Sequence, residues 1–246
     1  MKTLFTTLVI LSITLNVFSQ LNGSYTIGAS GDYGTFNEAV EALSTQGVSA
    51  AVTFNVEPGV YNEQVVVPEI TGASAANNIT FQSTTTDSTD VELTYASTNG
   101  DSAFVVKFDT TQNITFRYIT IHSQSVVDFH NMVVLCNSQD IQFYNCHFAG
   151  SLSATDYSYT ENLLVTVETD VRGDNYSVEN CCFQNGRYGL LLNGINEPVR
   201  AVNAVITGNT FHNQVRRGVE LNYHSDATIT NNLFTGSPSL SAIKCK

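Results

Sequence analysis

One short phrase recurs along this chain, apolar at its ends and small or polar between them. It reads Phe116-x-x-Ile119-x-Ile121, Phe143-x-x-Cys146-x-Phe148, Val178-x-x-Cys181-x-Phe183, Ile206-x-x-Asn209-x-Phe211 and Ile229-x-x-Asn232-x-Phe234. Successive copies begin 27, 35, 28 and 23 residues apart. A unit of this length has too little surface to bury its own apolar face, so copies must stack, and the product is a solenoid. Apolar residues at period 2 on either side of a tight bend suit short strands rather than a helical face. The expectation is an all-β parallel solenoid.

A second β-rich run precedes each phrase, at 104–108, 132–136, 163–167, 189–193 and 218–222, and recurs at 241–245. Alternation assigns Val106/Phe108, Val134/Cys136, Val165/Val167, Leu190/Leu192, Val219/Leu221 and Ile243/Cys245 to the core. It leaves Lys107, Leu135, Thr166, Leu191, Glu220 and Lys244 as an outward column. The connections 167–178 and 192–206 vary most and are expected to project as loops.

One segment is helical by pattern. Thr35 and Glu38 form a capping box, Phe36, Ala39, Val40 and Leu43 share one face, and Gly47 is a natural terminator. Near the start of a solenoid, such a helix would cover the open end of the core. Ahead of it, residues 1–19 carry Lys2 and then a largely apolar stretch over 4–17. Val17 and Ser19 fit cleavage before Gln20, the pattern of a signal peptide, and no later stretch is a candidate membrane span. The expected domain is a β-helix over 20–246. The run ending at Lys246 has no phrase after it, so that coil is expected to be cut in mid-course.

The formal net charge is −12; loss of Lys2 with the leader makes it −13. No Lys or Arg cluster marks a nucleic-acid binder. Calcium is the ion such an acidic surface attracts, but the acidic repeats of calcium-binding β-rolls are missing, and no cofactor is expected. The five cysteines include no C-x-x-C pair, against a structural zinc site. Cys146 and Cys181 occupy the repeat position that Asn209 and Asn232 take later. Two readings stay open: a buried stack of small side chains, or a disulfide between neighbouring coils, whose spacing of about 4.8 Å is compatible with one. Oligomeric state is not written in the sequence.

The outward column is poor in acid–base chemistry. Glycoside hydrolysis requires two facing carboxylates, and Glu220 stands without a second. The candidate catalytic residues are Asp128 with His130 in a loop, Asp156, and Glu220. Arg187, Arg216, Arg217 and His224, with Glu220, are candidates to converge on a sugar carboxylate. Tyr157, Tyr159, Tyr188 and Tyr223 are candidate sugar platforms.

Asp32-Tyr33, Thr35-Phe36-Asn37-Glu38-Ala39-Val40, Pro58-Gly59-Val60-Tyr61-Asn62-Glu63 and Asn78-Ile79-Thr80 together resemble the N-terminal part of pectin methylesterases. The resemblance implies a right-handed parallel β-helix of the pectin-lyase-like superfamily. Asn131-Met132-Val133-Val134-Leu135 is similar to the esterase Gln-Ala-Val-Ala-Leu motif, with Asn131 in place of the oxyanion-stabilising Gln. Phe143-Tyr144-Asn145-Cys146-His147-Phe148-Ala149-Gly150 resembles the strand before the Gln-Asp-Thr-Leu acid motif, but Ser151 to Asp156 then stands where that motif is expected. Asp128-Phe129 is similar to the nucleophile motif but lies on the wrong side of these strands. No Arg-Pro-Trp follows, and the chain has no Trp.

Gly23-Ser24-Tyr25-Thr26-Ile27-Gly28, Val52-Thr53-Phe54-Asn55-Val56, Tyr61-Asn62-Glu63-Gln64 and Ile79-Thr80-Phe81-Gln82-Ser83 also resemble the mature ends of large secreted bacterial surface proteins. That resemblance implies an exported β-helix that adheres or contacts polysaccharide, and the leucine-bearing outward column with the missing acid motif points to contact without catalysis. The alternative is a carbohydrate-active enzyme, a lyase or esterase, built on the same fold.

Overall fold

The computed structural model describes residues 19–97, 103–124, 129–150, 160–167, 173–236 and 242–245, with the backbone alone at 129, 130 and 160. Three parallel sheets run its length. The first holds Leu21–Ile27, Val48–Val56, Ile79–Ser83, Gln112–Arg117, Gln139–Tyr144, Ser177–Glu179, Val205–Thr207 and Thr228–Thr230. The second holds Gly59–Asn62, Val91–Tyr95, Thr120–Ser123, His147–Ala149, Cys182–Gln184, Thr210–His212 and Leu233–Thr235. The third holds Val65–Val67, Val106–Asp109, Phe129–Cys136, Thr160–Val167, Tyr188–Asn193, Arg217–Asn222 and Ile243–Cys245. From Val48 the chain visits the first, second and third sheet in turn, seven times over. This is the expected parallel β-helix.

The recurring phrase is the corner from first to second sheet. Its third residue takes a left-handed conformation in every copy: Tyr118 (φ 53°), Asn145 (52°), Asn180 (54°), Gly208 (69°) and Asn231 (56°). Asn and Gly enter that region at least cost, which explains their use there. The bend turns the next residue inward, and Ile119, Cys146, Cys181 and Asn209 are each at most 2% exposed.

These inward residues tie coil to coil. Asn209 Oδ1 accepts the Cys181 N–H (2.8 Å), Asn209 Nδ2 donates to the Val178 carbonyl (2.8 Å), and Asn232 Oδ1 accepts the Asn209 N–H (2.8 Å). The thiols occupy the same rungs more weakly. Cys181 Sγ accepts the Cys146 N–H at 3.4 Å, and Cys146 donates to the Phe116 carbonyl at 3.5 Å. All five cysteines are free thiols, so the buried-stack reading holds rather than the disulfide. Burial, with Cys146 beside it, pushes the Cys181 thiol well above its ordinary range.

Aromatic rings stack on the same repeat. In the second sheet Phe148, Phe183, Phe211 and Phe234 follow at centroid spacings of 4.4, 4.9 and 4.9 Å. Phe54, Phe81, Phe116 and Phe143 form a looser stack in the first. Each such pair is worth about 0.5–1.5 kcal/mol beyond its burial.

The helix runs Phe36–Gln46, with Thr35 as N-cap and Gly47 terminating it. It buries Phe36, Ala39, Val40, Ala42 and Leu43 against the first end of the core. Glu63 completes its start: its carboxylate accepts the Phe36 and Asn37 N–H groups at 3.0 and 2.9 Å. Tyr61 packs edge-on to Phe36 at 5.2 Å and donates to the Glu57 carbonyl at 2.8 Å. The Tyr-x-Glu of the N-terminal resemblance is thus a helix-docking device.

In the third sheet, two strands sit one residue out of the register that alternation suggests. Val133 and Leu135 pair with Val106 and Phe108, and Leu164 and Thr166 pair with Val133 and Leu135. Leu135 and Thr166 therefore face the core, while Val134, Cys136, Val165 and Val167 face outward. The runs Met132–Leu135 and Leu163–Val165 are apolar at every position, so their pattern cannot separate the faces. The outward column is Val66, Lys107, Val134, Val165, Leu191, Glu220 and Lys244.

Asn209→Ala would strand the Cys181 N–H and the Val178 carbonyl inside the core. The expected loss is about 2–4 kcal/mol, read by urea unfolding; a loss under about 0.5 kcal/mol would contradict the ladder's role.

Candidate functional site

The chain enters the third sheet around a glycine. A Cβ on Gly189 would lie 2.6 Å from a Phe211 ring carbon, and one on Gly218 would lie 2.4 Å from Phe234. Only glycine lets these corners press against the aromatic stack. Their preceding neighbours, Tyr188 and Arg217, are turned outward instead. They fall in register with Asn131 and Asn162, so four successive coils place Asn131, Asn162, Tyr188 and Arg217 in one row. The parallel row of Leu191, Glu220 and Lys244 lies three residues further along its strands.

Cations gather at this corner. The Arg216 and Arg187 guanidinium groups lie 5.3 and 5.7 Å from the Tyr188 ring centroid, within cation–π range. Arg217 Nη1 donates to Glu220 Oε2 at 2.8 Å, with both side chains under a tenth exposed, and Lys244 Nζ lies 3.5 Å from Glu220 Oε1. Glu220 therefore does not stand alone. Burial by itself would raise its carboxyl, but Arg217 and Lys244 outweigh burial and lower it. Glu220 is ionised at neutral pH, and the stability it contributes is lost only as pH falls through that lowered value. Tyr188 shifts upward, first through burial and then through Glu220, against the pull of the three arginines. Its phenol stays protonated.

Asn162 Oδ1 and Arg217 Nε here are buried without a hydrogen-bond partner among the described residues. Asn162 is 5% and Arg217 8% exposed, and they flank Tyr188 in the row. Asn162 Nδ2 donates to Asn131 Oδ1 at 2.6 Å, which leaves its oxygen as the open acceptor. Glu161, fully buried, precedes Asn162. Three arginines and a lysine thus gather around Tyr188 and Glu220 in a chain whose net charge is −12.

Of the candidate residues, Arg187, Tyr188, Arg216, Arg217 and Glu220 come together. Tyr223 and His224 do not, because the strand Arg217–Asn222 carries them to its far end. Asp128, Asp156, Tyr157 and Tyr159 lie outside the described residues, as does the side chain of His130. Asn162 and Lys244 were not among the candidates. Aligning 160–167 beneath 129–136 would have brought out Asn162, since Asn131 and Asn162 are register partners. In the same register Asn162-Leu163-Leu164-Val165 stands one coil beyond Asn131-Met132-Val133-Val134. Among the described residues no three His, Cys, Asp or Glu side chains cluster as a metal site requires. No helix there is long and apolar enough to cross a membrane.

No protein-family profile matches the chain. Probable pectinesterase A of Aspergillus niger is 25% identical over 142 residues, which is 54% of this chain and 41% of that protein's length. The Aspergillus oryzae counterpart is 24% identical over the same extent. The matched segment therefore spans about two-fifths of these relatives. Among solved structures, pectin methylesterase from Aspergillus niger superposes with a TM-score of 0.52 at 16% identity, covering 91% of this chain and 87% of that one. Carrot pectin methylesterase gives 0.53 at 14% identity, covering 93% and 90%. A rhamnogalacturonan lyase gives 0.55 at 12%, covering 92% and 63%. The fold is a parallel β-helix like that of these pectin methylesterases.

His224 has a separate consequence. Its two ring nitrogens are buried without partners among the described residues, and burial lowers its pKa to about 4, against a small upward pull from Asp174. The neutral ring is favoured in the fold, so this stability is present above the usual histidine value and lost as pH falls from about 6.5 through 4. His147, lowered first by burial, acts in the same direction. Replacing His224 by Gln should make the urea midpoint fall less between pH 7 and pH 4 than in the wild type. Equal falls would contradict the assignment.

Proposed function

We propose that this protein engages an acidic, uronate-bearing polysaccharide on the outward face of its third sheet. The observation that carries the reading is the arginine cluster on Tyr188, flanked by the unpartnered Asn162 Oδ1 and Arg217 Nε. A guanidinium fork matches a sugar carboxylate, an aromatic ring gives a sugar an apolar face, and the open amide oxygen accepts a hydroxyl. The likeness to pectin methylesterases, proteins named for a uronate polymer, supports the ligand class. The leader pattern of residues 1–19 supports a place outside the cell or on its surface.

Binding without turnover is the first reading. Asn131 and Asn162 are neutral amides, Tyr188 is held protonated, and Glu220 is held between Arg217 and Lys244. Esterase or lyase turnover at the same face is the second. It is favoured by the ionised Glu220 within the cationic cluster and by the fold's likeness to enzymes.

Polygalacturonate binding should weaken about tenfold for Arg216→Ala and again for Arg187→Ala, roughly 1.4 kcal/mol each. It should also weaken with added salt. The same samples, assayed for methanol release from methyl-esterified pectin and for unsaturated uronate ends, decide between the readings. Turnover abolished by Glu220→Gln selects the enzyme. Absence of both binding and turnover overturns the proposal.

A further inference from the structure

A second site lies at the corner where the third sheet returns the chain to the first, two coils before the arginine cluster. Three successive corners stack there, at Glu69–Ile70, Thr110–Gln112 and Asn137–Gln139, and line an open cavity of about 220 Å³. A second cavity of about 200 Å³ adjoins it, lined by Asn78, Asn113, Thr115, Asp140 and Gln142. Gln112 and Gln139, register partners, line the first cavity, and the residues that follow them, Asn113 and Asp140, line the second.

One residue that lines the first cavity carries an unused polar group. Thr111 is 1% exposed, and its hydroxyl has no hydrogen-bond partner among the described residues. A buried hydroxyl without a partner is unfavourable, so a ligand group that reaches it is favoured. The amides around it are already oriented. Gln112 Nε2 donates to the Ala73 carbonyl at 3.0 Å and Gln139 Nε2 donates to Gln112 Oε1 at 2.7 Å, which turns Gln139 Oε1 out as an acceptor. In the second cavity Gln142 Oε1 accepts from Thr115 at 3.2 Å, and Asp140 Oδ1 accepts from Asn175 at 2.9 Å.

We propose that these adjoining cavities form a glycan site for neutral, hydroxyl-rich sugar units. Amides and hydroxyls that both donate and accept match sugar hydroxyls, which do the same. The charges there are the carboxylates of Glu69 and Asp140, and among the described residues no Lys or Arg lines either cavity. A uronate would be repelled, in contrast to the corner at Tyr188. Each cavity is below the ~300–1,000 Å³ of drug-sized pockets, a size for one small ring apiece. The protein would then hold an acidic and a neutral segment of glycan at separate places on one rod.

The test is calorimetric titration with neutral tetrasaccharides of galactose, glucose, mannose and arabinose. The wild type should bind at least one saturably. Thr111→Val and Gln139→Ala should each weaken that binding about tenfold or more, and Arg216→Ala should leave it unchanged. Thr111→Val replaces an unpartnered hydroxyl with a methyl, so its unfolding midpoint should not fall. It decides the matter alone if Gln139→Ala fails to fold. No binding by any neutral probe, binding that survives both variants, or binding lost in Arg216→Ala overturns the site. Because the probes are uncharged, none of these outcomes bears on polygalacturonate.

Discussion

The left-handed bend between the first and second sheets is the constraint on which the rest of the structure depends. It is one residue wide and recurs at Tyr118, Asn145, Asn180, Gly208 and Asn231. By turning the following side chain inward, it places a hydrogen-bonding group where neighbouring coils would leave backbone amides and carbonyls unpaired. Asn209 serves both sides of that need, since it accepts from Cys181 N–H and donates to the Val178 carbonyl. Cys146 and Cys181 fit the same space but bond at 3.3–3.5 Å through a poorer donor and acceptor. The ladder therefore runs from an apolar rung at Ile119, through thiols, to amides. The phenylalanine stacks inherit their spacing from it.

That inward bookkeeping leaves the outward faces free to differ from coil to coil. Coils five and six press Gly189 and Gly218 against the aromatic stack, and the residues before them, Tyr188 and Arg217, are turned away from the core, buried beside Arg187 and Arg216. The result is a local excess of cations on an acidic protein. A buried pair such as Arg217–Glu220 costs desolvation on both sides and is sound only while both partners and their hydrogen bonds remain. Lys244, from the next coil, is the third member that keeps Glu220 ionised.

Much of this was legible in the sequence, for reasons that also explain the failures. The phrase announced strands because its bend residue and inward residue are chemically restricted at every copy. The helix announced itself through Thr35, Glu38 and one apolar face, but Glu63 as its second cap did not, because the two are joined only in three dimensions. The third-sheet register failed at Val134 and Val165, where unbroken apolar runs carry no alternation. Arg187 and Arg216 meet on Tyr188 because both precede glycine-entered strands. His224 does not join them, since a strand's length separates it from them. Asn162 escaped notice because its partner Asn131 lies 31 residues back, in the preceding coil.

The central claim is that the fold's regularity is inward and its ligand chemistry outward, at Tyr188. A crystal structure grown with a galacturonate trimer tests it most directly. The account predicts ligand density over the Tyr188 ring, with a sugar carboxylate on Arg187 or Arg216 and a hydroxyl on Asn162 Oδ1. Density on another face, or a trimer at saturating concentration that leaves this corner empty, would contradict it.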